Sequence, residues 1–95
     1  MTKAELIDAI NQRASDEGID LTKKDTRSLV DIVFETVAGS IEDEQRFSYP
    51  NFGTFNVKHR KAREGRNPRT GEPIQIPASN TVGFKPAPTL KDQIN

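Results

Sequence analysis

Ninety-five residues with a hydrophobic share of 33% make one small domain with a thin core, because short chains bury a smaller fraction of their surface than long ones. With no cysteine and a single histidine, disulfides and a structural zinc site are excluded, which leaves oligomerisation as the remaining brace. The formal net charge of +0 hides a split: up to Gln45 five basic residues face eleven acids, a net −6, and from Arg46 onward nine basic residues face three acids, a net +6. Such asymmetry points to a polyanionic partner. The N-terminus lacks the long apolar run and cleavage pattern of a secretory signal, and nothing approaches the ~18 apolar residues that span a bilayer. A soluble, cytoplasmic chain without a membrane partner is expected.

The first helix is marked by a capping box, Thr2 with Glu5. Leu6, Ile7, Ile10 and Ala14 follow at helical spacing, which predicts a helix over Lys3–Ala14 that ends before Gly18. Thr22 and Asp25 open a second helix. Its apolar face holds Leu29, Ile32, Val33, Thr36, Val37 and Ile41, widened by Val30 and Phe34. One helical hairpin cannot cover so broad a face; a second subunit can. Gly39 inside this helix costs about 1 kcal/mol relative to alanine, and Glu42, Asp43 and Glu44 oppose the macrodipole at its end. Tertiary packing must therefore hold the helix.

After Gln45 the period changes to that of a strand. Arg46–Tyr49 alternates, Pro50–Asn51 breaks the pattern and Phe52–Val57 resumes it, which reads as a hairpin with Tyr49 in its packing. Alternation then runs on through Lys58, His59, Arg60, Lys61 and Arg63, where no apolar face remains to be buried. A strand that outlives its hydrophobic face is a ribbon leaving the domain. Gly65 and Gly71 bracket its turn, Pro68-Arg69-Thr70-Gly71 supplies turn chemistry, and Ile74–Ile76 starts the return, with Pro73 and Pro77 tolerated because a two-stranded ribbon is all edge. Thr81–Phe84 re-enters the core, Pro86 and Pro88 mark a loop, and Thr89–Ile94 fits a short terminal helix.

The ribbon carries the functional signal. Between Lys58 and Arg69 lie six basic residues and one acid, Glu64, a local charge of +5. Clustered cations on a projecting ribbon repel one another, and a phosphate backbone relieves that repulsion while releasing counterions. Arg63, Arg66 and Arg69 are of the type that favours a narrow, negative minor groove. Pro68, apolar and without an N–H, is suited to wedge between base steps. His59 reads as a polar strand residue at the ribbon base.

These residues carry a resemblance. Phe52-Gly53-Thr54-Phe55, Arg60, Arg63-Glu64-Gly65-Arg66-Asn67-Pro68-Arg69-Thr70-Gly71 and Ile74-Gln75-Ile76-Pro77-Ala78 resemble the signature of the HU/IHF proteins, which stand among the known minor-groove architectural proteins. The similarity extends over essentially the whole chain and is closest to HU. It implies an α+β fold as an intertwined dimer: two N-terminal helices, a three-stranded antiparallel sheet with a long β-ribbon arm, and a short C-terminal helix. On that pattern residues 1–45 form the helical dimerisation base, 46–57 and 78–88 the sheet, 58–77 the DNA-binding arm and 89–95 the last helix.

The resemblance further implies that Pro68 intercalates, that Lys58, Arg60, Lys61, Arg63, Arg66, Asn67 and Arg69 lie along the DNA-binding arm, and that Lys85 and Lys91 reach flanking phosphates. Phe34, Phe47, Phe52, Phe55 and Phe84 become the dimer core. The partner implied is double-stranded DNA, bound in the minor groove with a preference for bent, nicked or junction forms, by a homodimer or by a heterodimer with a paralogue. Asn51 departs from the pattern, standing where the family usually has glycine.

The function expected is a weakly selective architectural protein that bends and compacts DNA in the bacterial nucleoid. The alternatives are an IHF-like heterodimer subunit with a preferred site, or a charge-driven protein-assembly module on the same fold. A catalytic reading lacks parts: there is no cysteine, no Gly-rich phosphate loop and no carboxylate pair tied to a pocket, so no cofactor or metal is expected.

Overall fold

The computed structural model describes all of residues 1–95. The elements in chain order are α1 (Lys3–Asp16), α2 (Lys23–Glu44), β1 (Arg46–Tyr49), β2 (Gly53–Arg60), β3 (Arg63–Arg66), β4 (Pro73–Ile76), β5 (Ser79–Pro86) and α3 (Pro88–Ile94). They form two compact units, Met1–Gly39 and Ser40–Asn95.

In the N-terminal unit both caps form as their sequences require. Thr2 Oγ1 accepts the Glu5 N–H at 3.3 Å, and Thr22 Oγ1 accepts the Asp25 N–H at 3.0 Å. Glu5 does not return to the Thr2 backbone; its carboxylate accepts from the Thr2 hydroxyl instead, at 3.1 Å. Helix α1 runs two residues beyond the expected Ala14, because the Glu17 N–H still finds the Arg13 and Ala14 carbonyls. Gly18, at φ 80°, then turns the chain away.

A polar clasp joins the two helices. Asn11 Nδ2 donates to the Leu21 carbonyl at 2.9 Å and to Thr26 Oγ1 at 3.0 Å, and the Thr26 hydroxyl donates to the Thr22 carbonyl at 2.9 Å. Thr26 is fully buried, and every polar group it brings inside is satisfied, as burial demands. Ion pairs Lys3–Asp31 at 2.7 Å and Lys23–Asp8 at 2.6 Å sit outside it, largely exposed; such pairs contribute about 0–1 kcal/mol. The buried apolar residues are only Ile7, Ala14 and Val30. Val30 thus belongs to this small core, whereas Leu29, Ile32, Val33 and Phe34 are exposed, Phe34 at 60%.

In the second unit Gln45 ends α2 by adopting φ 65°, with its Nε2 donating back to the Glu42 carbonyl at 3.0 Å. Strands β1, β2 and β5 form an antiparallel sheet in that order. The β1–β2 turn places Asn51 at φ 66°. Asparagine is among the few non-glycine residues that tolerate this left-handed region. Tyr49, expected in packing, lies at the strand end and is 61% exposed.

The ribbon is not one continuous ladder. Strand β2 stops at Arg60, and β3 and β4 form a separate two-stranded sheet. Lys61–Ala62 and Pro77–Ala78 separate the two sheets; Pro77 has no N–H to continue the pairing. Pro88 does not extend a loop, as expected, but is the first residue of α3, where a missing N–H costs nothing. The Ala87 N–H bonds the Phe52 carbonyl at 2.9 Å and the Thr89 hydroxyl donates to Asn51 Oδ1 at 3.2 Å, anchoring α3 to the hairpin.

Candidate nucleic-acid interface

Strand register sorts the side chains of the three-stranded sheet. Phe47 pairs with Phe55 and Phe55 with Phe84; Arg46 pairs with Asn56, Thr54 with Lys85 and Lys58 with Thr81. Directly opposed residues share a face and neighbours along a strand do not. Phe47, Phe55, Val57, Val82 and Phe84 therefore occupy one face, and Arg46, Lys58, Arg60 and Lys85 the other. Every cation of this sheet lies on the same side, and its strands carry no acid.

The apolar face is an aromatic cluster. Phe55 and Phe84 have ring centroids 4.6 Å apart, Phe52 and Phe84 5.4 Å, and Phe47 and Phe55 6.4 Å, within the range of favourable ring pairs. Gly53 makes room for it, since a Cβ there would come within 2.5 Å of the Phe84 ring and 2.6 Å of the Lys85 carbonyl oxygen. Phe84 is still 43% exposed and Val82 53%. Phe34, the remaining expected core phenylalanine, lies on α2 in the other unit. His59 shares this face and its Nδ1 meets Asn80 Oδ1 at 2.7 Å, so it is a bonded strand residue at the root of the arm.

On the polar face Ser48 and Thr54 bond through their hydroxyls at 3.1 Å, and Arg46, Asn56 and Lys85 border the same open concavity. Arg60, Lys61 and Arg63 line a second one at the arm root. Lys91 stands apart, in the last turn of α3.

In the arm Arg63 opposes Ile76, Gly65 opposes Ile74 and Arg66 opposes Pro73. Arg63 consequently shares a face with Gly65, Ile74 and Ile76, and Arg66 projects from the opposite one. Gly65 is thus a strand residue rather than a turn residue; a Cβ there would meet Ile76 Cδ1 at 2.9 Å. The tip is closed by the Asn67 N–H on the Glu72 carbonyl and the Gly71 N–H on the Asn67 carbonyl, both at 2.8 Å, with Gly71 at φ 72°. Pro68 and Arg69 are exposed within that loop.

All ion pairs of the chain lie in the N-terminal unit, on Lys3, Arg13 and Lys23. None of the nine basic residues from Arg46 onward has a carboxylate partner. Arg46 was not among the candidate residues of the sequence; the alternation that turns Phe47 to the aromatic face already put its neighbour on the polar side.

The family described as bacterial DNA-binding protein matches residues 1–95, the full chain. The chain belongs to that family. Over 95 residues, the whole of both sequences, it is 43% identical to the DNA-binding protein HU-1 of Halalkalibacterium halodurans. It is 44% identical to DNA-binding protein HU of Staphylococcus aureus, covering 99% of each. Among solved structures, an Anabaena HU–DNA cocrystal aligns with a TM-score of 0.84 at 33% identity, covering 99% of this chain and 97% of that one. A point mutant of HU from Thermotoga maritima aligns over the full length of both chains with a TM-score of 0.68 at 24% identity, a likeness of fold. The α+β fold expected from the sequence is the family's fold.

Proposed function

We propose that this protein is a non-sequence-specific architectural DNA-binding protein of the bacterial nucleoid that acts as a homodimer and bends double-stranded DNA from the minor groove. The observation that carries the reading is the segregation of charge: Arg46, Lys58, Arg60 and Lys85 lie on one face of the sheet with no carboxylate partner, continuous in sequence with an arm bearing Lys61, Arg63, Arg66 and Arg69. Phosphates are the counterions such an array lacks. The arm enters the minor groove and Pro68 wedges between base steps, while Lys85 and Lys91 reach flanking phosphates. Full-length similarity to proteins named HU favours this reading over an IHF-like subunit or a protein-assembly module. No helix is long and apolar enough to cross a membrane, and a DNA-bound role places the protein in the cytoplasm.

The second copy is called for by the surface each unit leaves open: Leu29, Ile32, Val33 and Phe34 on α2, and Phe52, Val82 and Phe84 on the sheet. Exposed apolar residues in this density are the mark of an interface. Phe47 and Phe55, on the same sheet face as Val82 and Phe84, complete the dimer core.

Gel shift and bend measurements on linear, nicked and four-way-junction DNA at two salt concentrations test the reading. The expected result is tighter binding to the nicked and junction forms, with affinity falling steeply as salt rises. Pro68→Ala should reduce bending more than affinity. Sedimentation should give twice the 10.6 kDa chain mass. A salt-independent complex, or equal bending by the proline variant, would overturn it.

A further inference from the structure

We infer that Asn67 is a positioning residue: its side-chain oxygen folds the arm tip into the shape that presents Pro68 before any DNA is bound. This rests on the proposed wedge role of Pro68 and adds to it the device that aims the wedge.

The geometry around Asn67 is unusually complete for an exposed loop. Its N–H donates to the Glu72 carbonyl at 2.8 Å and its carbonyl accepts the Gly71 N–H at 2.8 Å. Its Oδ1 accepts the Arg69 N–H at 2.9 Å. One residue thus closes the loop through the main chain and braces it through the side chain. Because the Arg69 amide is a donor, the atom that meets it must be the Asn67 oxygen, not the nitrogen. The bond is an Asx turn, reaching two residues along the chain, and the residue it steps over is Pro68.

Proline contributes no N–H and holds its own φ near −65°. The Asx turn fixes the peptide on its far side, so both flanks of the ring are set. The Glu72 N–H, donating to Thr70 Oγ1 at 3.3 Å, and Gly71 in the left-handed region complete the loop. Strands β3 and β4 are four residues each, and a two-stranded ribbon of that length is marginal alone. A tip ordered from within loses less conformational freedom when it binds, which favours the bent complex.

The test uses the full-length protein with Asn67→Ala, Asn67→Asp and Pro68→Ala. Solvent exchange of the Arg69 amide is followed by NMR without DNA. Bending of a linear duplex is followed by energy transfer at saturating protein, and affinity is measured on a nicked duplex that is already kinked. Asn67→Ala should speed Arg69 exchange about fivefold, the factor one ordinary hydrogen bond represents. It should also roughly halve the bend, a larger effect than its loss of affinity for the nicked duplex. Asn67→Asp keeps the acceptor and should restore slow exchange and the bend, although its charge weakens affinity. Arg69 exchange unchanged in Asn67→Ala, or an aspartate variant that bends as poorly as the alanine one, overturns the inference and returns Asn67 to a direct DNA contact through its amide nitrogen. Full bending by Pro68→Ala instead removes the wedge reading, and the Arg69 amide then decides the turn on its own.

Discussion

The side chain of Lys58 lies across Gly83 on the polar face of the sheet. A Cβ at Gly83 would collide with Lys58 Cε and lie 2.9 Å from its Nζ, so the glycine is the floor on which the lysine stem rests. Nothing at this position requires a left-handed backbone; the need is for space. Gly83→Ala should leave the melting temperature within about 2 °C, since only the far end of a flexible side chain must move. It should lower DNA affinity severalfold by displacing the ammonium. In a Lys58→Ala background the same change should cost almost nothing, a non-additivity that titrations of all four proteins would reveal.

Arg63 and Arg66 leave the arm from opposite faces and share no partner. Each alanine substitution should flatten the plot of log affinity against log salt by about one, the loss of one phosphate contact. The double variant should lose the sum of the two. A second substitution without further effect would mean that only one face of the ribbon meets DNA.

The glycines Gly53 and Gly39 should respond in opposite directions to alanine. At Gly53 the new methyl meets a ring and a backbone oxygen, neither of which yields, so a loss of about 1–3 kcal/mol is expected from overpacking. At Gly39 a Cβ finds nothing within 4 Å, and removing a helical glycine should stabilise by about 0.5–1 kcal/mol. Denaturant titration measures both. Destabilisation at Gly39 would place the second copy of the chain against that position.

Thr26→Val keeps the shape of a fully buried side chain while deleting the hydroxyl between Asn11 and the Thr22 carbonyl. The expected cost is about 1–3 kcal/mol, the net worth of two ordinary hydrogen bonds, since Asn11 keeps its bond to the Leu21 carbonyl and the Thr22 carbonyl keeps the Thr26 N–H. DNA affinity of the folded protein should be unchanged.

Local chemistry made several features legible. Thr2 and Thr22 announce helix starts because a cap needs only residues three positions apart. The switch from helical to alternating apolar spacing at Gln45 locates the first strand, and the density of cations after Val57 (Lys58, Arg60, Lys61 and Arg63) marks the arm. Other features were obscured by partners distant in sequence. Gly65 looks like turn glycine until Ile76 is seen opposite it, and Val30 looks like surplus interface until the α1 core fills around it. Thr26 gives no sign of burial, because Asn11 is fifteen residues away.

The amino-acid order alone determined which segments coil, which extend and where positive charge accumulates, since these depend on neighbours within a few residues. Only the folded arrangement decided that four cations share one side of a sheet and phenylalanines the other, that the arm separates from the sheet at Lys61–Ala62 and Pro77–Ala78, and that Asn67 braces its tip. Alternation says that successive side chains oppose one another; it takes the pairing of distant strands to say which side each one joins.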